Sequence, residues 1–173
     1  GLGIPAEPLF RSRDVLMAFV LCACGSSCQK FAGDPVSKNF AVGGSYTAIE
    51  VQDAFDVVVS DVADSITITV GEKVMPNVVV EVVDNTLKIY LKSVGRFYGG
   101  EQKAIIPFNA DLTKVDLSGS SEFHTTYGLE GDEVEVELSG ASDFYGNVTA
   151  DELELDLSGA SDAKIAGEVG KLS

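Results

Sequence analysis

The pentapeptide Leu117-Ser118-Gly119-Ser120-Ser121 returns as Leu138-Ser139-Gly140-Ala141-Ser142 and again as Leu157-Ser158-Gly159-Ala160-Ser161, each time after a run of alternating apolar and acidic residues. From Gly119 to Gly140 is 21 residues and from Gly140 to Gly159 is 19. Such a period suits one coil of a β-solenoid better than a helical repeat. Val134, Val136 and Leu138 alternate with Glu133, Glu135 and Glu137, and one period later Leu153, Leu155 and Leu157 alternate with Glu152, Glu154 and Asp156. Stacked as parallel strands about 4.8 Å apart, the apolar set forms interior ladders and the carboxylates form exterior ones. Gly119, Gly140 and Gly159 then become structural corners, because a sharp bend with positive φ favours glycine. The serines beside them are expected to hydrogen-bond between coils. Phe123, Phe144 and Ala163 stand four residues after the three glycines and should stack as equivalent interior positions.

Upstream of the repeats lie short strand-like segments, Ala48–Val51, Phe55–Ser60, Ser65–Val70, Val78–Val83, Leu87–Leu91 and Lys103–Ile106, with Asp84-Asn85-Thr86 as a turn. The fold class read from this pattern is all-β: a β-solenoid, like a parallel β-helix, with coils of about 20 residues and short strands preceding it. Residues 25–45 carry neither helical nor strand periodicity and contain Gly33-Asp34-Pro35 and Gly43-Gly44. The chain therefore divides into a signal-like segment 1–23, a flexible tether 24–45 and a β-solenoid domain 46–173.

Composition narrows the function. With 12 basic against 27 acidic residues the formal charge is −15, and phosphate binding needs a basic face, so nucleic acid is excluded as a partner. All three cysteines, Cys22, Cys24 and Cys28, are confined to one short segment, so no disulfide framework is built. Arg11 and Arg13 precede an apolar stretch Val15–Leu21 that is too short to span a bilayer, and small residues follow. Leu21-Cys22-Ala23-Cys24 resembles a bacterial lipobox, which makes Cys24 the first candidate for lipidation; Cys28, after Ser26-Ser27, is the second. Export to the bacterial cell envelope follows, with membrane attachment through a lipid anchor only, at the outer membrane or a periplasmic face. The absence of an initiating Met, with Asp14 at the basic-to-apolar boundary, reads as an altered amino terminus.

The order Phe-Asp-Val-Val-Val (55–59), Asp-Asn-Thr-Leu-Lys-Ile (84–89), Ala-Ile-Ile-Pro (104–107) and then the serial Leu-Ser-Gly-Ala-Ser motif resembles the head GIN domain of putative auto-transporter adhesins. The resemblance runs from about Tyr46 to the end. It implies a β-helical envelope domain behind a lipoprotein or secretory signal, an adhesin-type binding role and no catalytic residues. A further coil would be expected after Lys171-Leu172-Ser173, which reads as a carboxy-terminal truncation.

No catalytic constellation emerges from the residues. Carboxylates are abundant but recur at period 2, as solvated strand faces do, and nothing singles out one pair for acid/base work. Ser118, Ser139 and Ser158 repeat, whereas His124 is the sole histidine and reads as a surface residue on a turn. Candidate ligand-binding residues are Phe97 and Tyr98, beside Gly99-Gly100, and Tyr145. Candidate cation ligands are Glu135, Glu154, Asp143 and Asp162, for which calcium is the fitting ion. The leading reading is a non-catalytic envelope lipoprotein whose solenoid surface binds a glycan or a surface protein. An envelope carbohydrate-active enzyme on a β-helix, and an assembly module that oligomerises through an open solenoid edge, are the alternatives.

Overall fold

Alternation at period 2 becomes strand wherever one face finds a core, and nearly every alternating run in this chain does so. The structure, a computed structural model, describes residues 32–92 and 100–173. Cys24, Cys28 and the Phe97-Tyr98 pair lie outside the described residues. The strands are β1 (Pro35–Phe40), β2 (Ala48–Val51), β3 (Asp56–Ser60), β4 (Ile66–Gly71), β5 (Val78–Val83), β6 (Thr86–Leu91), β7 (Lys103–Pro107), β8 (Lys114–Leu117), β9 (Glu122–Leu138), β10 (Asp143–Leu157) and β11 (Asp162–Leu172). All belong to one sheet that curls into a nearly closed, barrel-like wall around a single apolar core. Among the described residues helix is limited to traces such as the 3-10 turn Met75–Asn77.

The sheet is mixed. β1 with β4, β4 with β7 and β5 with β6 are antiparallel, the last pair joined at Asp84 and Asn85, both at positive φ as a tight hairpin turn requires. The other pairings are parallel. β10 lies between β9 and β11, while β9 meets β3 near its start and β8 near its end. The short strands therefore do not simply precede the repeats. β2 continues the stack of β8, β9 and β10, and β3 continues the stack formed by the starts of β9, β10 and β11.

Interior ladders run across these parallel pairs. Val51, Leu117, Leu138 and Leu157 share one column, and Ile49, Val115, Val136 and Leu155 share the next; the columns are buried as far as β9, while on β10 Leu155 is partly buried and Leu157 is exposed. Phe123 and Phe144, both fully buried, stack with centroids 5.7 Å apart and planes 7° from parallel. Offset aromatic pairs of this kind add about 1 kcal/mol beyond their burial. Ala163 continues the column on β11.

At the corners, Gly119, Gly140 and Gly159 have φ of 82°, 80° and 78°. A Cβ on Gly140 would run into the carbonyl oxygen of Gly119, and one on Gly119 would run into that of Asp53. Backbone bonds fill this close approach: Ser120 N–H donates to Asp53 O at 2.7 Å, Ala141 N–H to Gly119 O at 2.9 Å and Ala160 N–H to Gly140 O at 2.7 Å. Asp53, at φ 74°, thus occupies a fourth corner without being glycine, and its carboxylate accepts the Leu91 N–H at 2.7 Å. The serines serve the corners unevenly. Ser118, Ser139 and Ser158 reach the preceding strand's carbonyl at only 3.3–3.5 Å, whereas Ser121, Ser142 and Ser161 donate within their own corner at 2.9 Å.

The unequal glycine spacing has a local cause. Between β9 and β10 the register slips from Tyr145↔His124 to Asn147↔Gly128, so β9 carries two extra residues there. Thr125, almost buried, closes the bulge by accepting the Tyr127 N–H at 3.0 Å and donating to Tyr127 O at 2.7 Å.

Residues 35–40 fall in the segment read as tether, yet they form β1 against all six residues of β4. Most of this edge strand is exposed, so no hydrophobic alternation could announce it, and main-chain pairing holds it. Ala32, 2% exposed, packs just ahead of it against Gly71.

Gly140→Val should cost at least about 3 kcal/mol, since it combines a strained φ with a backbone clash, while Ser139→Ala should cost about 1 kcal/mol or less. Thermal melts of the two variants check this; equal melting temperatures would remove the corner argument.

Candidate functional site

Because the corners set the register, the residue three positions after each corner falls in one outward column. These residues are Asp56, Glu122, Asp143 and Asp162, direct partners across β3, β9, β10 and β11. They point outward because Phe55, Ser121 and Ser142 before them and Val57, Phe123 and Phe144 after them point into the core. Two residues further on, the column reads Val58, His124, Tyr145 and Lys164.

The second column is a stack. The His124 imidazole lies 4.6 Å from the Tyr145 ring at 3° between planes, and Lys164 Nζ sits 4.9 Å from the Tyr145 centroid on the next strand. His124 is thus on strand β9, partly exposed and held by a ring, rather than on a turn. Its Nε2 is 3.1 Å from Glu122 Oε2. Asp56 completes a group in which one donor atom from each of Asp56, Glu122 and His124 lies within 4.8 Å of the others. Asp56 Oδ1 is buried and has no hydrogen-bond partner among the described residues. Burial pushes the Asp56 carboxyl up from its ordinary range; the neighbouring His124 and Lys103 act in the opposite direction, while Glu122 and Glu101 reinforce the rise.

A second wall carries the acidic ladders. Glu133 pairs with Glu152, Glu135 with Glu154 and Glu137 with Asp156. Lysines enter the same columns. Lys114 is the register partner of Glu135 and bridges Glu135 at 2.9 Å and Glu137 at 3.0 Å; Lys171, partner of Glu152, contacts that carboxylate; Lys88, partner of Glu50, meets it at 2.5 Å. Asp116 lies in register between Glu50 and Glu137. Burial, and then Glu137 and Glu50, raise its carboxyl above the ordinary value.

The candidate cation ligands fall into two separate pairs. Asp143 faces Asp162 at the beginning of β10, and Glu154 faces Glu135 near its end. Tyr145 sits between His124 and Lys164. Asp56, Glu122 and the role of His124 escaped the sequence reading. Aligning Asp53 with the three glycines would have found the carboxylate column, since Asp56 follows Asp53 by the interval that separates Glu122, Asp143 and Asp162 from their glycines.

Two crevices, one lined by Val59, Phe108 and Leu129 and the other by Ala32, Gly71 and Gly100, enclose about 10 and 20 Å³. Each has the room of roughly one water molecule. Neither crevice has room for a larger ligand.

The raised Asp116 carboxyl has a definite sign for stability. The folded state holds its proton more tightly than the unfolded chain, so the cost is absent below the unfolded pKa and is complete once pH has risen through the folded one. Asp116→Asn should therefore stabilise the protein at neutral pH by roughly 0.5–1 kcal/mol, with the gain vanishing as pH falls below the carboxylate range. Urea melts of both proteins at neutral and acidic pH test this; a gain that persists in acid would assign it to packing.

Similar folds occur among solved structures. A putative adhesin from Parabacteroides distasonis superposes with a TM-score of 0.53 at 19% identity, covering 81% of this chain and 75% of that one. A putative adhesin from Parabacteroides merdae gives 0.58 at 18% identity, with 81% and 76% covered. A further Parabacteroides distasonis structure, described as a putative lipid binding protein, gives 0.54 at 20% identity, with 79% and 68% covered. At these identities the likeness is one of fold. No curated protein matches the sequence. Among the described residues no helix is long and apolar enough to cross a membrane. A family model described as putative auto-transporter adhesin, head GIN domain, matches residues 45–173, and the chain belongs to that family.

Proposed function

We propose that this domain is a non-catalytic binding module of the bacterial cell envelope that engages glycan or protein partners through the outer wall of stacked parallel coils. The observation that carries this reading is the column His124–Tyr145–Lys164, an outward aromatic and cationic stack beside a continuous column of carboxylates. The ring of Tyr145 is engaged by His124 and Lys164, so the column offers the phenol hydroxyl, the ring edges and the ammonium to hydroxyl and carboxylate groups, and the carboxylates beside it accept hydroxyl and ammonium hydrogen bonds. Rigid strands hold both sets at fixed spacing, which lowers the ordering cost of binding. The family description and the adhesin descriptions of similar folds agree with such a role. The coil reading rests on the corner column, which repeats at Asp53, Gly119, Gly140 and Gly159. In this proposal the chain is exported and anchored by lipid on Cys24, with Cys28 as the second choice.

Screening of the full chain on glycan, lipid and matrix-protein arrays should give at least one class of binder, and Tyr145→Ala should weaken that binding by about tenfold. Hydrolysis or eliminative cleavage of a neutral polysaccharide, abolished by a single Asp or Glu substitution, would overturn the non-catalytic reading. Lipid is included because one similar fold is described as a putative lipid binding protein.

The anchor is tested separately. Cys24→Ala should abolish detergent-phase partitioning and palmitate labelling of the full precursor, while Cys28→Ala should leave both intact. The reverse result would move the lipid to Cys28.

A further inference from the structure

The group formed by Asp56, Glu122 and His124 is not an extension of the acidic ladders. It alone joins an imidazole to two carboxylates, from two adjacent parallel strands, with the donor atoms within 4.8 Å of one another. We propose that Asp56, Glu122 and His124 bind a divalent transition metal ion of the zinc class.

The donor chemistry selects the ion. One imidazole nitrogen with two carboxylate oxygens suits zinc and its neighbours, whereas calcium and magnesium take oxygen sets. Donors around a tetrahedral ion with bonds of about 2.1 Å stand roughly 3.4 Å apart, so side-chain rotations that close at most about 1.4 Å assemble the site. Two carboxylates balance the dication. Asp56 Oδ1 is a buried oxygen with no hydrogen bond among the described residues, an arrangement that costs free energy unless something satisfies it, and a cation would.

The imidazole is already oriented. Its near-coplanar stack on Tyr145 restricts rotation of the ring, and Nε2 faces Glu122. Asp56 and Glu122 are register partners on β3 and β9, so the backbone ladder sets their separation. Lys103, the register partner of Asp56 on β7, interacts electrostatically with it. Its ammonium opposes the ion and sets a limit on affinity. Three protein ligands leave the remaining coordination positions toward solvent, where Glu122 and His124 are exposed at 49% and 37% of their side chains.

His124 is the sole histidine, which gives the site its own signal. The full chain labelled with 15N-histidine, titrated with Zn2+, should show the ring resonances of His124 shift and saturate at one equivalent. Zinc held at other donors, thiolates included, leaves no such signature. Mg2+ and Ca2+ at equal ionic strength should leave the resonances in place. Asp56→Asn and Glu122→Gln, each checked for folding by its far-ultraviolet circular dichroism and melting temperature, should weaken the Zn2+-dependent shift by at least about tenfold. Tyr145→Leu should keep all three ligands and still bind. Ring resonances unmoved by a several-fold excess of Zn2+, or a shift that survives both carboxylate substitutions at full affinity, would overturn the site. Neither outcome touches the array measurements that test the binding role.

Discussion

The rest of this structure depends on the close approach of backbone at the corner column. Asp53, Gly119, Gly140 and Gly159 lie over one another with positive φ, and each N–H that follows a glycine of the column donates to the carbonyl of the corner below it. A hydrogen-bonded column of this kind tolerates no side chain at its centre, because a Cβ would meet the neighbouring carbonyl. Asp53 shows the boundary of the rule. It heads the column with no glycine beneath it, pays the αL penalty that Asp bears more lightly than most residues, and uses its carboxylate to hold the end of β6. Once the corners are in register, the leucines before them and the aromatic rings after them align without further instruction, as Val51–Leu117–Leu138–Leu157 and Phe123–Phe144 do.

The same register creates an electrostatic difficulty. Identical positions in successive strands carry the same charge, and the fold accumulates columns such as Glu50–Asp116–Glu137–Asp156. Exposed pairs are screened by water and cost little each. Where a column is partly buried, lysine is placed within hydrogen-bonding reach: Lys88 against Glu50, and Lys114 across Glu135 and Glu137. The lysine responses agree with this, since contact with Glu50 and with Glu135 raises the Lys88 and Lys114 ammonium groups above their ordinary range. Asp116 stands in the column with no such bridge among the described residues and carries the raised carboxyl.

Much of the β framework was legible in the sequence because period-2 alternation and Leu-Ser-Gly repeats are direct images of a buried face and a corner. The ladder Glu133–Glu152, Glu135–Glu154, Glu137–Asp156 could be written down from phase alone. Three things were not. β1 has no buried face to produce a pattern and is held by main-chain bonds to β4. The corner at Asp53 lacks the glycine that marks the others, and with it the place of Asp56 was hidden. The two extra residues of β9 around Thr125–Tyr127 show in the sequence only as unequal glycine spacing, which does not say where between the glycines they fall. Lysine partners were equally out of reach, because Lys114 and Lys88 meet their carboxylates across sequence separations of about twenty to forty residues that only the three-dimensional register closes.

Repetition and variation divide the labour along the stacked strands. At the corner itself three of four residues are glycine, and two residues further on Phe55, Ser121 and Ser142 are all fully buried: these places answer to backbone geometry and packing. Three residues after the corner all four side chains are carboxylates, and five residues after it they are Val58, His124, Tyr145 and Lys164, four different chemistries on one column. The outward column is free of the packing constraint that acts on the inward ones, so its side chains can differ in chemistry while every corner bond stays in place. The carboxylates beside it add an anionic field that steers cations and cationic groups toward the stack. The imidazole, the phenol and the ammonium of three successive parallel strands then stand in one column, in a register that the corners set.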